Sequence, residues 1–183
     1  MPEVAIVSSK NELEQIFRLN RMNLKQNLSS KEQMQEGFVT WLYSIELLEQ
    51  MHRLAPSIIV KDNGEVIAYA LTTLKESRAF HPDLNAMFQN LQQVHYKDKP
   101  LSSYDFYCMG QICVAKKYRG KGLAKALYQK HKEVYGNEYD FILTEISTRN
   151  FLSLKAHQNI GFETIYTHRD EVDEWNVVVW NWK

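Results

Sequence analysis

Apolar positions recur along this chain in two periods, and an element boundary is expected wherever one period gives way to the other. The opening "VAIVSSKNELEQIF" reads as a short apolar strand and then a helix carrying Leu13, Ile16 and Phe17, with Ser9 and Glu12 as a capping box at its start. A second box, Ser30 with Gln33, precedes Phe38, Trp41, Leu42, Ile45, Leu48 and Met51, whose helical spacing predicts a core-facing stripe. "SIIVKDNGEVIAYALTTL" sets two β-rich runs around Asn63 and Gly64, a pair that accepts the positive φ of a type I′ turn, and predicts a hairpin. Pro82 opens a further short helix through Leu84, Phe88, Leu91 and Val94, up to a polar loop around Pro100.

From Tyr104 the pattern runs strand, glycine turn, helix to about Tyr135, strand "DFILTEIS", helix "NFLSLKAHQN", and then strands "FETIYTH" and "EWNVVVWNW". Hairpins of this kind are antiparallel, whereas a strand, helix, strand unit is parallel and right-handed, so an α/β class with a mixed sheet is expected. No repeat or low-complexity linker divides the chain, and one domain over residues 1–183 is expected.

With 183 residues, 44% of them hydrophobic, the chain is long enough for a sizeable core. Lys plus Arg equal Asp plus Glu at 22 each, so no global field draws it to nucleic acid or anionic lipid and recognition by charge has to be local. Cys108 and Cys113 stand an odd number of residues apart on one strand, which predicts side chains on opposite faces that cannot bridge, in keeping with a reducing cytosol. "MPEVAIVSSK" has no basic leader, and no apolar run approaches the roughly 20 residues of a membrane helix. A cytoplasmic protein without membrane association is expected.

The stretch "KKYRGKGLAKAL" places two glycines and five cationic residues where an apolar strand passes into a helix. The first N–H groups of a helix are unpaired and carry partial positive charge, so such a turn can hold phosphate if no Cβ blocks the approach. Gly120 and Gly122 permit that approach, and Lys116, Lys117, Arg119, Lys121 and Lys125 add charge. The alternative is a plain strand-to-helix turn with a solvated basic edge. A dinucleotide fingerprint fails because Lys125 stands at its third glycine, and a GxxxxGK[ST] loop is absent. Tyr118 and Tyr128 do not make a stacking platform for RNA.

Glu145 is notable because a carboxylate inside "FILTEIS" is costly to bury on a central strand without a partner. Either it bonds nearby backbone or water, or it faces a cleft as a general base.

Arg119, Gly120, Lys121, Gly122, Leu123 and Ala124 match [Q/R]xxGx[G/A], and "TEISTRNFLSLKAHQNIGF" follows in order with Glu145, Ile146, Asn150, Gly161 and Phe162. In these two motifs the chain resembles the GCN5-related N-acetyltransferase (GNAT) family, most closely from about Tyr104 to Phe162. The resemblance implies a mostly antiparallel central sheet of about seven strands, a splayed parallel pair at strands four and five, and helices on both faces. It implies that acetyl-CoA is the co-substrate: its pyrophosphate on the glycine turn, its pantetheine arm beside Ile112, Cys113 and Val114, and Asn150 and Ser153 close by. A backbone N–H near Val114 would meet charge on the thioester oxygen. The chain departs from the family at Ala68, where Gly is common, and at His157, where many members carry a Tyr that protonates the departing thiolate.

His157 either packs as a neutral ring or serves as that donor, its charge favoured by the C-terminal end of its helix. Asn150 is read as a helix N-cap, which would by itself explain it. The acceptor surface is expected near Phe38, Trp41, Asp170, Glu171, Asp173 and Glu174, where acidic residues would attract a cationic amine or simply form a solvated turn. The reading is an acetyl-CoA-dependent N-acetyltransferase acting by direct attack of a primary amine in a ternary complex, with no metal. Its alternative is an acyl-CoA-binding sensor or scaffold without turnover. A homodimer stays open, and the acceptor, whether small molecule or peptide, is not encoded in any motif.

Overall fold

The computed structural model describes residues 1–183. In chain order the elements are β1 (Glu3–Ile6), α1 (Lys10–Met22), α2 (Ser30–Glu36), α3 (Ile45–Leu54), β2 (Ile58–Asp62), β3 (Glu65–Thr73), α4 (Pro82–Leu91), β4 (His95–Tyr96), β5 (Lys99–Pro100), β6 (Phe106–Val114), α5 (Leu123–Tyr135), β7 (Phe141–Ser147), α6 (Phe151–Ile160), β8 (Glu163–Arg169) and β9 (Glu174–Asn181). Seven strands form one sheet in the order β1-β2-β3-β6-β7-β9-β8, and every pairing is antiparallel except β6 with β7. The hairpin at Asn63 and Gly64 forms as expected, both residues holding positive φ (52° and 82°).

The parallel pair expected at strands four and five is therefore made by the sixth and seventh strands of the chain. Two short strands, β4 and β5, come first and pair with each other outside the main sheet. Their turn uses Lys97 and Asp98 at positive φ (48° and 62°), without the Asn-Gly pair that marks such turns in sequence.

The capping box of α1 is present: the Ser9 hydroxyl accepts from Glu12 N, and the Glu12 carboxylate accepts from Ser9 N. The second box lies one residue earlier than expected, at Ser29 and Glu32, and starts only the seven-residue α2. The apolar stripe from Phe38 to Met51 is not one helix. Gly37 (φ 72°) ends α2, Val39 bridges to Leu24, and Ser44 caps α3 by accepting from Leu47 N. Gln111 Nε2 and Asn20 Nδ2 both donate to the Trp41 carbonyl, at 2.9 and 3.0 Å, and tie this strap to the sheet.

Helices cover both faces. On one, Ile16, Leu48 and Met51 of α1 and α3 meet Tyr69 and Leu71 of β3; on the other, Leu127 and Tyr128 of α5 and Phe162 after α6 meet Ile142 and Val178. Both cysteines are buried free thiols on the first of these faces, not on opposite ones. The reason is a bulge: Thr72 pairs with Met109 but Ala70 with Ile112, so β6 carries one extra residue and its alternation slips. Cys113 and Cys108 thus pair with Tyr69 and Thr73, which share a face of β3.

Candidate active site

Pairing between β6 and β7 stops after Cys108 with Leu143. Beyond that point β6 stays with β3 and β7 with β9, and the two strands diverge. A cleft of about 780 Å³ opens from this wedge to the glycine turn. Ile112, Cys113, Val114, Arg119, Gly120, Gly122, Leu123, Ala124, Asn150 and Ser153 all line it. Gly122, with φ of 78°, leads into α5 with no side chain capping the helix, whereas Ser9, Ser29, Ser44, His81 and Asn150 cap the other five. The first N–H groups of α5 are left for another acceptor, and a Cβ placed on Gly120 or Gly122 would meet nothing within 4 Å.

The cations of the turn are disposed otherwise than expected. The Arg119 guanidinium is committed to the protein: Nε donates to Val114 O at 2.9 Å, one terminal nitrogen to Glu36 O and Oε2 at 3.0 and 2.9 Å, and the other to Asn23 Oδ1. Four of its five N–H groups are used in this way, so Arg119 braces α2 against the turn and does not stand free for phosphate. Lys116 pairs with Glu36 at 2.6 Å. Lys121 lies over the Tyr118 ring at 5.0 Å and does not line the cleft, while Lys125 lines it and enters no ion pair.

A second cavity, of about 440 Å³, lies over β6 and β7 between the strap, α4 and the last hairpin. Phe38 and Trp41 line it, together with Glu145, His168, Asp170 and Trp175, and no Lys or Arg does. Glu171 does not. Asp170 Oδ1 accepts from Val172 N and Asp173 N at 2.8 Å, and that turn leaves Glu171 exposed. Asp173 is held by Ser147 and Arg149 instead, and Glu174 pairs with Arg169. Gly110 in the cavity floor admits Tyr43, whose hydroxyl would sit 2.8 Å from any Cβ there.

Six residues line both spaces: Phe38, Val39, Ile112, Asn150, Ser153 and His157. Asn150 Oδ1 accepts from Ser153 N as the N-cap, and its Nδ2 donates to Phe38 O at 3.0 Å, so it both starts α6 and holds the strap. His157 is only 3% exposed. Its Nδ1 donates to Ser153 O at 2.7 Å and its Nε2 accepts from the Tyr128 hydroxyl at 2.6 Å. Burial pushes it down to about 4, in spite of the Ser153 carbonyl, which favours the neutral packed ring of the two readings over a ring charged by its helix end. Glu145 moves the other way. Burial pushes its carboxyl up, and His168, 3.0 Å away, pulls it back.

The model of the Acetyltransferase (GNAT) family matches residues 18–162. The chain belongs to this family. No curated protein matches it in sequence. Solved GNAT structures share its fold: the ribosomal-protein-S18-alanine N-acetyltransferase from Escherichia coli at 12% identity and TM-score 0.65, over 99% of this chain and 94% of that one. An N-acetyltransferase from Staphylococcus aureus Mu50 is 17% identical with TM-score 0.63, over 100% and 99% of the two chains. yncA from Salmonella typhimurium, solved with its cofactor acetyl-CoA, is 12% identical with TM-score 0.61, over 100% and 94%.

Within this GNAT fold the glycine turn, Asn150 and Ser153 lie on one cleft, and Glu145 lines the cavity that adjoins it. What the motifs missed is His168 and the Arg119–Glu36 brace. His168 lies near the end of β8, the mostly exposed edge strand of the last hairpin, with no motif around it. Glu36 lies 83 residues from Arg119, and no local pattern links them.

Proposed function

We propose that the protein transfers the acetyl group of acetyl-CoA to a primary amine by direct attack in a ternary complex. The observation that carries this is the pair of cavities joined through six shared residues, one running to an uncapped helix start and the other lined by carboxylates without a Lys or Arg. Acetyl-CoA supplies the activated acyl group. The N–H groups at the start of α5 and Lys125 take the pyrophosphate, and the backbone of Ile112–Val114, divergent from β7, takes the pantetheine arm. Glu145 and Asp170 attract the ammonium form of the acceptor, and Phe38, Trp41 and Trp175 shield the reaction from water. The ammonium gives its extra proton to water before attack, and the proton lost on attack passes to the Glu145 side of the cavity. The departing thiolate takes its proton from water, since His157 is held neutral. A cytoplasmic location belongs to this reading and agrees with two free thiols.

Release of free CoA thiol from acetyl-CoA, followed over a panel of alkylamines, arylalkylamines and peptides, tests the proposal. Turnover with any of them supports it. Tight acetyl-CoA binding with no turnover across the panel overturns it in favour of a sensor or scaffold.

A further inference from the structure

His168 stands beside Glu145 in the acceptor cavity. Its Nε2 donates to Glu145 Oε1 at 3.0 Å, and the two side chains are 15% and 16% exposed. With the hydrogen on Nε2, the neutral ring carries its lone pair on Nδ1. Nδ1 makes no hydrogen bond within the protein, and the ring that carries it lines the cavity. A carboxylate holding one ring nitrogen while the other stands free orients an imidazole as a base and stabilises the imidazolium it becomes. Burial raises the carboxyl of Glu145, and its bond to His168 ties up the oxygen nearest the ring.

We propose that His168 Nδ1 is the base that takes the proton from the acceptor amine, with Glu145 as its positioning residue. This rests on the transferase reading and names the group that meets the amine. His168 takes the N–H proton as the amine nitrogen bonds to the thioester carbonyl carbon. The C–S electron pair leaves on sulfur, which takes a proton from water, and the imidazolium returns its own proton to the hydroxide so formed. The products are the amide and free CoA, with no other reactant. The charged and titratable groups around the ring are few. Glu145 faces it from β7 and Asp170 from the turn after β8, Tyr166 stacks on it at 6.0 Å, and the buried Cys108 thiol is near enough to Glu145 to feel its charge. Neighbouring Arg169 is paired to Glu174, and Asp173 to Arg149.

The test compares kcat and kcat/KM for the wild type, His168→Gln, Glu145→Gln and Glu145→Ala, with acetyl-CoA titration as the check on folding. His168→Gln is expected to lose roughly 10²-fold to 10⁴-fold, the span of general-base catalysis. Glu145→Gln, whose amide oxygen can still hold Nε2, is expected to lose less than Glu145→Ala, which cannot hold it. If His168→Gln stays within about threefold of wild type while Glu145→Gln falls further, the carboxylate is the base and the role of His168 is overturned. A wild type that binds acetyl-CoA but acetylates no amine overturns the transferase reading itself, and this role with it.

Discussion

Tyr128 and His157 share a hydrogen bond of 2.6 Å in which the phenol is the donor, and the other ring nitrogen of His157 gives its hydrogen to Ser153 O at 2.7 Å. Both atoms of the imidazole are thereby satisfied without charge, at the point where the two cavities meet. His157→Phe is expected to cost stability by about 1–3 kcal/mol, because the Tyr128 hydroxyl is left buried and unpaired. Turnover of the folded variant should keep the height and shape of the wild-type pH–rate profile. Loss of the alkaline limb would restore His157 as the proton donor.

Acid should destabilise the protein early. His131, between the Tyr107 hydroxyl at 2.8 Å and Ala70 O at 3.2 Å, is also pushed down to about 4 by burial. An unfolded histidine takes up its proton near pH 6.5, so the unfolded chain binds more protons than the folded one as pH falls from there toward 4. Stability from His131 and His157 is complete above that window and is lost through it, by up to roughly 1.4 kcal/mol per pH unit for each. Against the upward pull of desolvation, Arg149 and Ser147 hold Asp173 down to about 2, so its contribution fails only at lower pH. Urea midpoints at pH 7, 6 and 5 check this, and a flat series would contradict it.

The Arg119–Glu36 brace predicts matching phenotypes. If Arg119 braces α2, from whose end the strap runs, Arg119→Ala and Glu36→Ala should each lower stability by about 1–3 kcal/mol and raise the KM for the amine, and the double variant should add little. A guanidinium that grips pyrophosphate predicts the opposite for Glu36→Ala, which would release it and tighten acetyl-CoA. Calorimetric titration of the two single variants separates these outcomes.

Gly110 makes room for Thr73 and Tyr43 beside the second cavity. A Cβ there would fall against Thr73 Oγ1, a buried hydroxyl with no partner, and 2.8 Å from the Tyr43 hydroxyl. Gly110→Ala is expected to cost about 1–3 kcal/mol as those side chains are forced aside. The amine KM should rise while acetyl-CoA affinity stays within about twofold, since Gly110 lines only the acceptor cavity. Equal effects on both ligands would show that the two spaces are not separately built.

The sequence alone determined the features written in neighbouring residues. The capping box of α1 is spelled within four residues, the hairpin turn in Asn63 and Gly64, and the uncapped turn in the glycines before α5, because each depends on local dihedrals and one or two nearby groups. Local pattern also misled where two backbones satisfy one spacing. Phe38 to Met51 looks like a single helix until Gly37 and Ser44 divide it, and the cysteines look opposed until a bulge shifts the alternation. Only the tertiary structure decided which polar groups meet around the two cavities. Arg119 meets Glu36 across 83 positions, Glu145 meets His168 across 23, and Tyr128 meets His157 across 29. Whether a charged or polar group is free, braced or neutral depends on partners brought in by the sheet order and on the water that burial removes, and neither is a property of the residues beside it in the chain.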